Sequence, residues 1–319
     1  MVESDAGPAP DRADVSVLLP TLDEAETVGD VVAGFIEEGF DDVLVVDGNS
    51  TDGTPEIARE NGARVLTQSG RGKGQAVREG VAHVDRPYVL MADGDGTYRP
   101  EDADRMLEPL FEGPAEHVIG DRFADMEEGA MTRLNAAGNV LINRLFATVH
   151  GRDLGDILSG YRAFTRESFE RFTLGADGFG IETELAVECV RQGVPTAVVP
   201  IRYEARPGGS ETNLHPFRDG GRILLTLYTL AKTNNPIFYF GSVAAVGTGL
   251  GLGLAVFVGY RYVVHGVSHE VVALLSAFFI LLSVQLFMFG VLTDIIVSVN
   301  REQTRRLEEV SDRLRDLEE

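Results

Sequence analysis

Short, nearly continuous apolar runs recur through roughly the first 200 residues, separated by stretches whose apolar positions return every three or four residues. The runs Val15–Leu19, Val43–Val46, Arg64–Thr67, Tyr88–Ala92, Val118–Gly120 and Thr196–Ile201 predict β-strands. The stretches Glu24–Glu38, Pro55–Asn61, Gly74–Val84 and Glu101–Glu112 predict helices between them. Strands without polar alternation are buried on both faces, and interleaved helices cover a mostly parallel sheet in this way. Ligands of such sheets sit beyond the carboxyl ends of the strands. Asp47 follows Val-Leu-Val-Val and Asp93 follows Tyr-Val-Leu-Met-Ala, so both carboxylates are expected at that edge.

Beyond Lys232 the pattern changes. Pro236–Tyr260 and Val271–Thr293 contain no charged residue. As a helix, the second run is about 35 Å long at about 1.5 Å per residue, against a hydrocarbon core of about 30 Å. A core helix of a soluble domain ordinarily keeps a polar face. Two transmembrane helices are therefore expected, 236–260 and 271–299. Arg218, Arg222 and Lys232 precede the first, Arg301, Arg305 and Arg306 follow the second, and the connection holds only Arg261. The positive-inside bias makes this a multi-pass cell-membrane protein with both ends and its N-terminal domain in the cytoplasm. Gly247/Gly251 and Gly249/Gly253 repeat small residues at a spacing that permits close helix approach, to the second span or to a second copy in a homodimer. Residues 215–233 set apolar positions opposite basic ones, the pattern of an interfacial helix or of an ordinary packing helix. Residues 300–319 are expected to form a charged cytoplasmic helix. Residues 1–13 are acidic without an apolar run, which excludes a secretory signal peptide and predicts a disordered leader. An α/β domain is left at 14–214.

Charge narrows the partners. Asp and Glu number 50 against 28 Lys and Arg, a formal charge of −22, the wrong sign for a nucleic-acid surface. Lys73 and Lys232 are the only lysines. Such an acidic, lysine-poor chain suits concentrated salt, where charges are screened over about 3 Å at 1 M. Cys189 is the single cysteine, so no intrachain disulfide forms. The histidines lack metal-ligand spacing, and neither Ser159 nor Cys189 has a base partner for nucleophilic hydrolysis.

Asp93 and Asp95, on a turn leaving a buried strand with Gly94 between them, can face one hard cation. Mg²⁺ or Mn²⁺ prefers oxygen ligands and draws some of them from a diphosphate. It would neutralise charge on a departing nucleotide diphosphate. Three segments precede this turn: LLPTLDEAETVGDV (18–31), VVDGNSTDGT (45–54) and SGRGKGQAVREG (69–80). The last is not a dinucleotide loop, because it lies off the first strand and no ribose-binding acid follows at the needed distance. The four segments in this order resemble family 2 glycosyltransferases of the GT-A fold. The resemblance implies a Rossmann-like, mostly parallel α/β domain followed here by the two-helix hairpin. It places Pro20, Asp23, Glu24, Asp47, Asn49, Lys73 and Asp93 at the nucleotide-sugar donor, with Asp47 on the base or ribose and the metal on Asp93 and Asp95. Gly48 and Asn49 depart from the family's second acidic residue. Thr97 stands where related enzymes often carry a Gln ligand, so its part in metal binding is open.

Further on come Arg122 after a strand, Arg133 on a helix, DILSGYRAF (156–164), FGIETELAVE (179–188) and PIRYEARPGGSETN (200–213). This order resembles polyprenyl-phosphate hexose synthases, and its finer details resemble the haloarchaeal enzymes that load dolichyl phosphate to begin S-layer N-glycans. The resemblance implies that Arg122, Arg133, Asp156, Ser159 and Arg162 receive the acceptor, and that Arg206 and Ser210 lie on a loop closing over donor and metal. Asp93, Asp95, Arg122 and Arg133 become the catalytic set. The implied reaction is inverting, metal-dependent transfer of hexose to dolichyl phosphate, with UDP-glucose the favoured donor. GDP-mannose and UDP-N-acetylhexosamine are alternative donors, and a non-catalytic membrane adaptor is the rival of another class. Two spans and no Trp for a Q-x-x-R-W segment speak against a processive polymerase.

Overall fold

The computed structural model describes residues 10–207 apart from 177 and 179, residues 235–318, and residues 221, 225 and 228. The chain divides into two compact units, Met1–Thr226 and Leu227–Glu319.

The first unit is built on strands β1 (Val15–Thr21), β2 (Val43–Asp47), β3 (Arg64–Thr67), β4 (Tyr88–Met91), β5 (His117–Met126), β6 (Arg162–Thr165) and β7 (Thr196–Tyr203). They form one sheet in the order β3-β2-β1-β4-β6-β5-β7. Only β6 runs against its neighbours; the other adjacent pairs are parallel. This is the expected mostly parallel α/β sheet. Strand β6 carried no separate signal, because four residues are too few to establish a period.

Helices α1 (Val28–Glu37), α2 (Thr54–Glu60) and α4 (Ala103–Phe111) cover one face, and α3 (Lys73–Ala82) lies on the other. Alternate strand residues point to opposite faces. Val17, Leu19, Val45 and Leu90 accordingly meet Val32, Phe35, Met106 and Leu107 in one core. Gly80 of α3 sits over Leu18 and Val46, where a Cβ would collide with the leucine. Helix α1 starts later than the pattern predicts, because the N–H groups of Thr27 and Val28 both bond the Glu24 carbonyl in a turn. Helices α5 (Arg133–His150), α6 (Arg166–Glu170) and α7 (Ile181–Gln192) complete the unit.

The second unit contains α8 (Pro236–His265) and α9 (Glu270–Glu318). Pro236–His265 and Glu270–Val299 are long and apolar enough to cross a membrane. Pro236 opens α8 at a position whose N–H has no helical partner, Asn235 caps Phe238, and Gly266 ends it at φ 65°. The helices pack through glycines: Gly247 lies against Ser283, and a Cβ on Gly251 would stand 3.0 Å from the Ser276 carbonyl. The Ser276 hydroxyl donates to the Gly251 carbonyl at 2.7 Å. Gly249 and Gly253 have no neighbour within 4 Å. Helix α9 continues without a break from the apolar stretch into the charged tail. Ser210 and nearly all of 215–233 lie outside the described residues.

Candidate active site

The segments 18–31 and 45–54 meet at the carboxyl edge as two loops stapled together. Ser50 Oγ accepts from the Asp23 N–H at 2.8 Å, Asp23 Oδ1 from the Thr51 N–H at 2.8 Å, Thr54 Oγ1 from the Glu24 N–H at 2.9 Å, and Asp52 Oδ2 from the Ala25 N–H at 3.0 Å. Asp23 and Asn49 are the two non-glycine residues with positive φ among those described, at 53° and 66°. Asp and Asn tolerate that region best, and such strain gathers at functional loops. Asp47 ends β2 almost fully buried, and its Oδ2 accepts from the N–H groups of Asn49 and Ser50 at 3.0 and 3.1 Å. Pro20 is buried inside β1, paired with Val46, and shapes the loop from behind.

Asp93 and Asp95 follow β4, where acids and cations alternate. Lys73, first residue of α3, contacts Asp93 Oδ1 at 2.5 Å and Glu182 Oε1 at 2.6 Å. Burial pulls its pKa down, but Asp93 and Glu182 outweigh burial and hold the ammonium above its usual range. Asp95 Oδ1 accepts from the Thr97 N–H at 3.1 Å and the Thr97 hydroxyl at 2.6 Å, and Asp95 Oδ2 accepts from Arg206 at 2.7 Å. Arg206 also lies 3.6 Å from Glu24. Burial, helped by Asp95 and Asp93 and opposed by Arg206, pushes the Glu24 carboxyl up to about 7.

This donor set fits a divalent cation. Two carboxylates within one turn already hold the guanidinium of Arg206 and the ammonium of Lys73, so the edge attracts positive charge. No cluster of three or more His, Cys, Asp or Glu with metal-binding geometry occurs among the described residues. An ion at Asp93 and Asp95 would therefore complete its shell from diphosphate oxygens and water. Thr97, 2 % exposed, donates its hydroxyl to Asp95 and also bonds the Tyr203 side chain.

The segment 156–164 packs against this edge. Gly160 is packed so that a Cβ would stand 2.6 Å from Asp93 Oδ2, and its N–H donates to the Tyr98 hydroxyl at 2.9 Å. Arg122 forms a buried two-point pair with Asp156, at 2.5 and 2.9 Å, and stacks on Tyr203 at 5.4 Å. Arg162 is 0 % exposed and donates to the carbonyls of Ser159, Ile157 and Glu182. It also donates to His117, an imidazole held unprotonated by burial and by Arg162 itself. Asp156 and Ser159 are 0 % exposed as well. Asp156, Ser159 and Arg162, which the resemblance sets at the acceptor, are thus all enclosed by the fold. Burial leaves Arg162 and Asp156 no open face, and Asp156 reaches the pocket only through Arg122. Arg133 is exposed at the start of α5.

Sequence reasoning missed Glu182 and Tyr98. Glu182 lies in the quoted segment 179–188, and its one available signal was an acid in the first turn of an otherwise apolar helix.

Comparison with known proteins agrees with this geometry. Residues 16–173 match the family model described as Glycosyl transferase family 2. "Glycosyltransferase AglJ" of Haloferax volcanii is 62 % identical over 304 residues, covering 95 % of this chain and 99 % of that protein. "Dolichyl-phosphate hexose transferase" of the same organism is 38 % identical over 212 residues, covering 66 % and 90 %. Glucosyl-3-phosphoglycerate synthase of Mycobacterium tuberculosis, solved with Mn²⁺, UDP and phosphoglyceric acid, is similar with a TM-score of 0.56 at 25 % identity, over 68 % of this chain and 78 % of that one.

Proposed function

From the premise that this chain belongs to glycosyl transferase family 2, we propose that it moves a hexose, glucose from UDP-glucose, onto dolichyl phosphate. The product would be the first lipid-linked intermediate of a glycan destined for protein N-glycosylation. The observation that carries the reading is the Asp93–Asp95 turn, with Lys73 and Arg206 seated on its carboxylates beside two stapled loops. The dolichyl-phosphate hexose transferase of Haloferax volcanii, 38 % identical, supports a hexose and a dolichyl phosphate. UDP with Mn²⁺ in the mycobacterial enzyme supports the donor and the cation.

Asp93 and Asp95 would hold Mg²⁺ or Mn²⁺, which supplies charge neutralisation to the leaving diphosphate. Lys73, kept charged by Asp93 and Glu182, adds a second positive group there. Asp23, Glu24, Asp47 and Asn49 order the nucleoside loops, and Arg206 and Ser210 belong to the segment that covers the donor. A monoalkyl phosphate has a second pKa of about 6, so near neutrality its oxygen is already an anionic nucleophile. No strong base is required; catalysis rests on positioning and charge stabilisation. Arg122, oriented by Asp156, and Arg133 would bind that phosphate. Attack at the anomeric carbon opposite the leaving group inverts it, giving a β-linked lipid phosphate sugar.

Two apolar helices, and the exposed Leu134, Leu141 and Leu145 on α5, suit an enzyme whose acceptor is a lipid. We place the catalytic unit, 14–214, in the cytoplasm, with 215–233 on the headgroups, spans at 236–260 and 271–299, and 300–319 as a cytoplasmic helix. The testing experiment uses Asp95→Ala in membranes supplied with dolichyl phosphate and a panel of nucleotide sugars, read by mass spectrometry of the lipid. Transfer from UDP-glucose should be lost in the variant while insertion persists. Near-normal transfer by the variant would remove the metal assignment, and a product formed only from another donor would remove UDP-glucose.

A further inference from the structure

The turn that carries Asp95 is joined to the end of β7. Tyr98 bridges Tyr203, and the Glu204 N–H donates to the Thr97 carbonyl at 3.0 Å. Side chains repeat the connection: the Tyr98 and Tyr203 rings lie 5.5 Å apart, and the Tyr203 hydroxyl bonds the Thr97 side chain. The single proton of the Thr97 hydroxyl goes to Asp95 Oδ1 at 2.6 Å, so Tyr203 is the donor to Thr97. The same tyrosine serves the other half of the pocket, where the Arg122 guanidinium lies over its ring, 5.4 Å from the centroid. Arg122 stands where β5 leaves the β7 ladder: pairing runs to Asp121 and Pro200 and resumes at Asp125 and Arg202. A bulge of this kind takes side chains out of the strand's alternation and re-aims them. The direction of Arg122 is then set by its pair with Asp156 and by the Tyr203 ring.

We propose that Tyr203 is a positioning residue that couples the two substrates, so that metal and nucleotide seated at Asp95 tighten the hold of Arg122 on the acceptor phosphate. The proposal rests on the reading of Asp95 as a metal ligand and of Arg122 as a phosphate contact. Without the donor, Asp95 holds Arg206 and the Thr97 hydroxyl at once. A divalent cation there displaces Arg206 and fixes one end of a line of hydrogen bonds running from Asp95 through Thr97 to the Tyr203 hydroxyl. Fixing that hydroxyl fixes the ring beneath Arg122, so the guanidinium is ordered before the phosphate arrives and binding loses less entropy. Linkage makes the effect reciprocal, and the acceptor phosphate tightens the metal nucleotide by the same factor. Attraction through space acts whatever stands at position 203, so removal of one hydroxyl separates the two routes.

The test titrates the purified full chain in detergent with geranyl phosphate, a short polyprenyl phosphate, with and without saturating Mn²⁺ and UDP, followed by calorimetry. In the parent, geranyl phosphate should bind about fivefold or more tighter when Mn²⁺ and UDP are present, and UDP should gain by the same factor when geranyl phosphate is present. Tyr203→Phe keeps the ring and removes the hydroxyl; there the factor should fall below about twofold, while each ligand alone binds within about threefold of the parent. Tyr203→Leu removes the ring as well and should weaken geranyl phosphate alone about fivefold. Thr97→Val cuts the same line one residue earlier, and its coupling factor decides the matter should Tyr203→Phe bind neither ligand. A factor above twofold in Tyr203→Phe, or below fivefold in the parent, overturns the proposal, as does geranyl phosphate affinity in Tyr203→Leu within twofold of the parent. Absence of geranyl phosphate binding by the parent overturns the acceptor reading itself, an outcome separate from failure of Tyr203 alone.

Discussion

Thr97→Val exchanges a hydroxyl for a methyl group at a position 2 % exposed, so the side-chain shape is kept and, along with the hydroxyl's contact with Tyr203, the hydrogen bond to Asp95 is lost. That bond runs from the Thr97 hydroxyl to Asp95 Oδ1 at 2.6 Å, leaving only the Thr97 N–H at 3.1 Å on the same oxygen. A hydrogen bond to a charged acceptor contributes about 1.5–3 kcal/mol. At about 1.4 kcal/mol per tenfold, any equilibrium needing Asp95 in this orientation shifts roughly ten- to a hundredfold. Groups that orient metal ligands have effects of this size on metal affinity. Mn²⁺ binding in the presence of UDP, followed by electron spin resonance, should therefore weaken by that factor, and transfer should need correspondingly more Mn²⁺. Thr97→Ser keeps the hydroxyl and should stay within about threefold, by the same hydrogen-bond argument. Mn²⁺ affinity of Thr97→Val within twofold of the parent would refute the reasoning, as would an equal loss in Thr97→Ser.

Asp156→Asn leaves the buried Arg122 without its charged partner and should lower unfolding stability by about 3–5 kcal/mol, measured by denaturant titration in detergent; a loss under about 1 kcal/mol contradicts the pairing. Glu24 has its pKa raised by burial from 4.5 to about 7, so between those values the unfolded chain ionises while the folded one does not, and metal-free stability falls as pH rises. Glu24→Gln should accordingly melt higher than the parent at pH 7.5, with the difference vanishing near pH 4.5; the opposite ordering would show that Glu24 is stabilised as an anion. Gly251→Ala forces a Cβ to 2.7 Å from Ile280 and should destabilise the helix pair by about 1–3 kcal/mol in detergent unfolding. Gly253→Ala meets no neighbour and should be neutral or stabilise by up to about 1 kcal/mol; equal effects of the two substitutions would contradict the packing.

The sheet was legible because buried parallel strands leave unbroken apolar runs, and the place of Asp47 and Asp93 at its edge because they end such runs. The two long helices were legible for the same reason, since Pro236–Tyr260 and Val271–Thr293 have no polar face to disguise them. Strand β6 was not, because four residues carry no period and their partners lie far away in sequence. The resemblance drew Asp156, Ser159 and Arg162 into one motif but carried no sign of their burial, which comes from the fold and makes Arg162 a clamp on three carbonyls. Glu182 escaped notice for a related reason: a glutamate opening a helix looks ordinary until the fold shows it holding Lys73.

The reversed strand β6 has a bearing on the order of assembly. Strands β5 and β7 join the rest of the sheet only through β6, whose residues are 162–165. A chain emerging from the ribosome can pair β1 to β4 from its first hundred or so residues. The strand bearing Arg122 must wait, although it is made before residue 130. Domains of this size often fold in stages, and long-range pairing is the slow step. The nucleotide half of the pocket therefore has a scaffold early in synthesis, and the half assigned to the lipid phosphate is added when one short strand slots between two waiting edges.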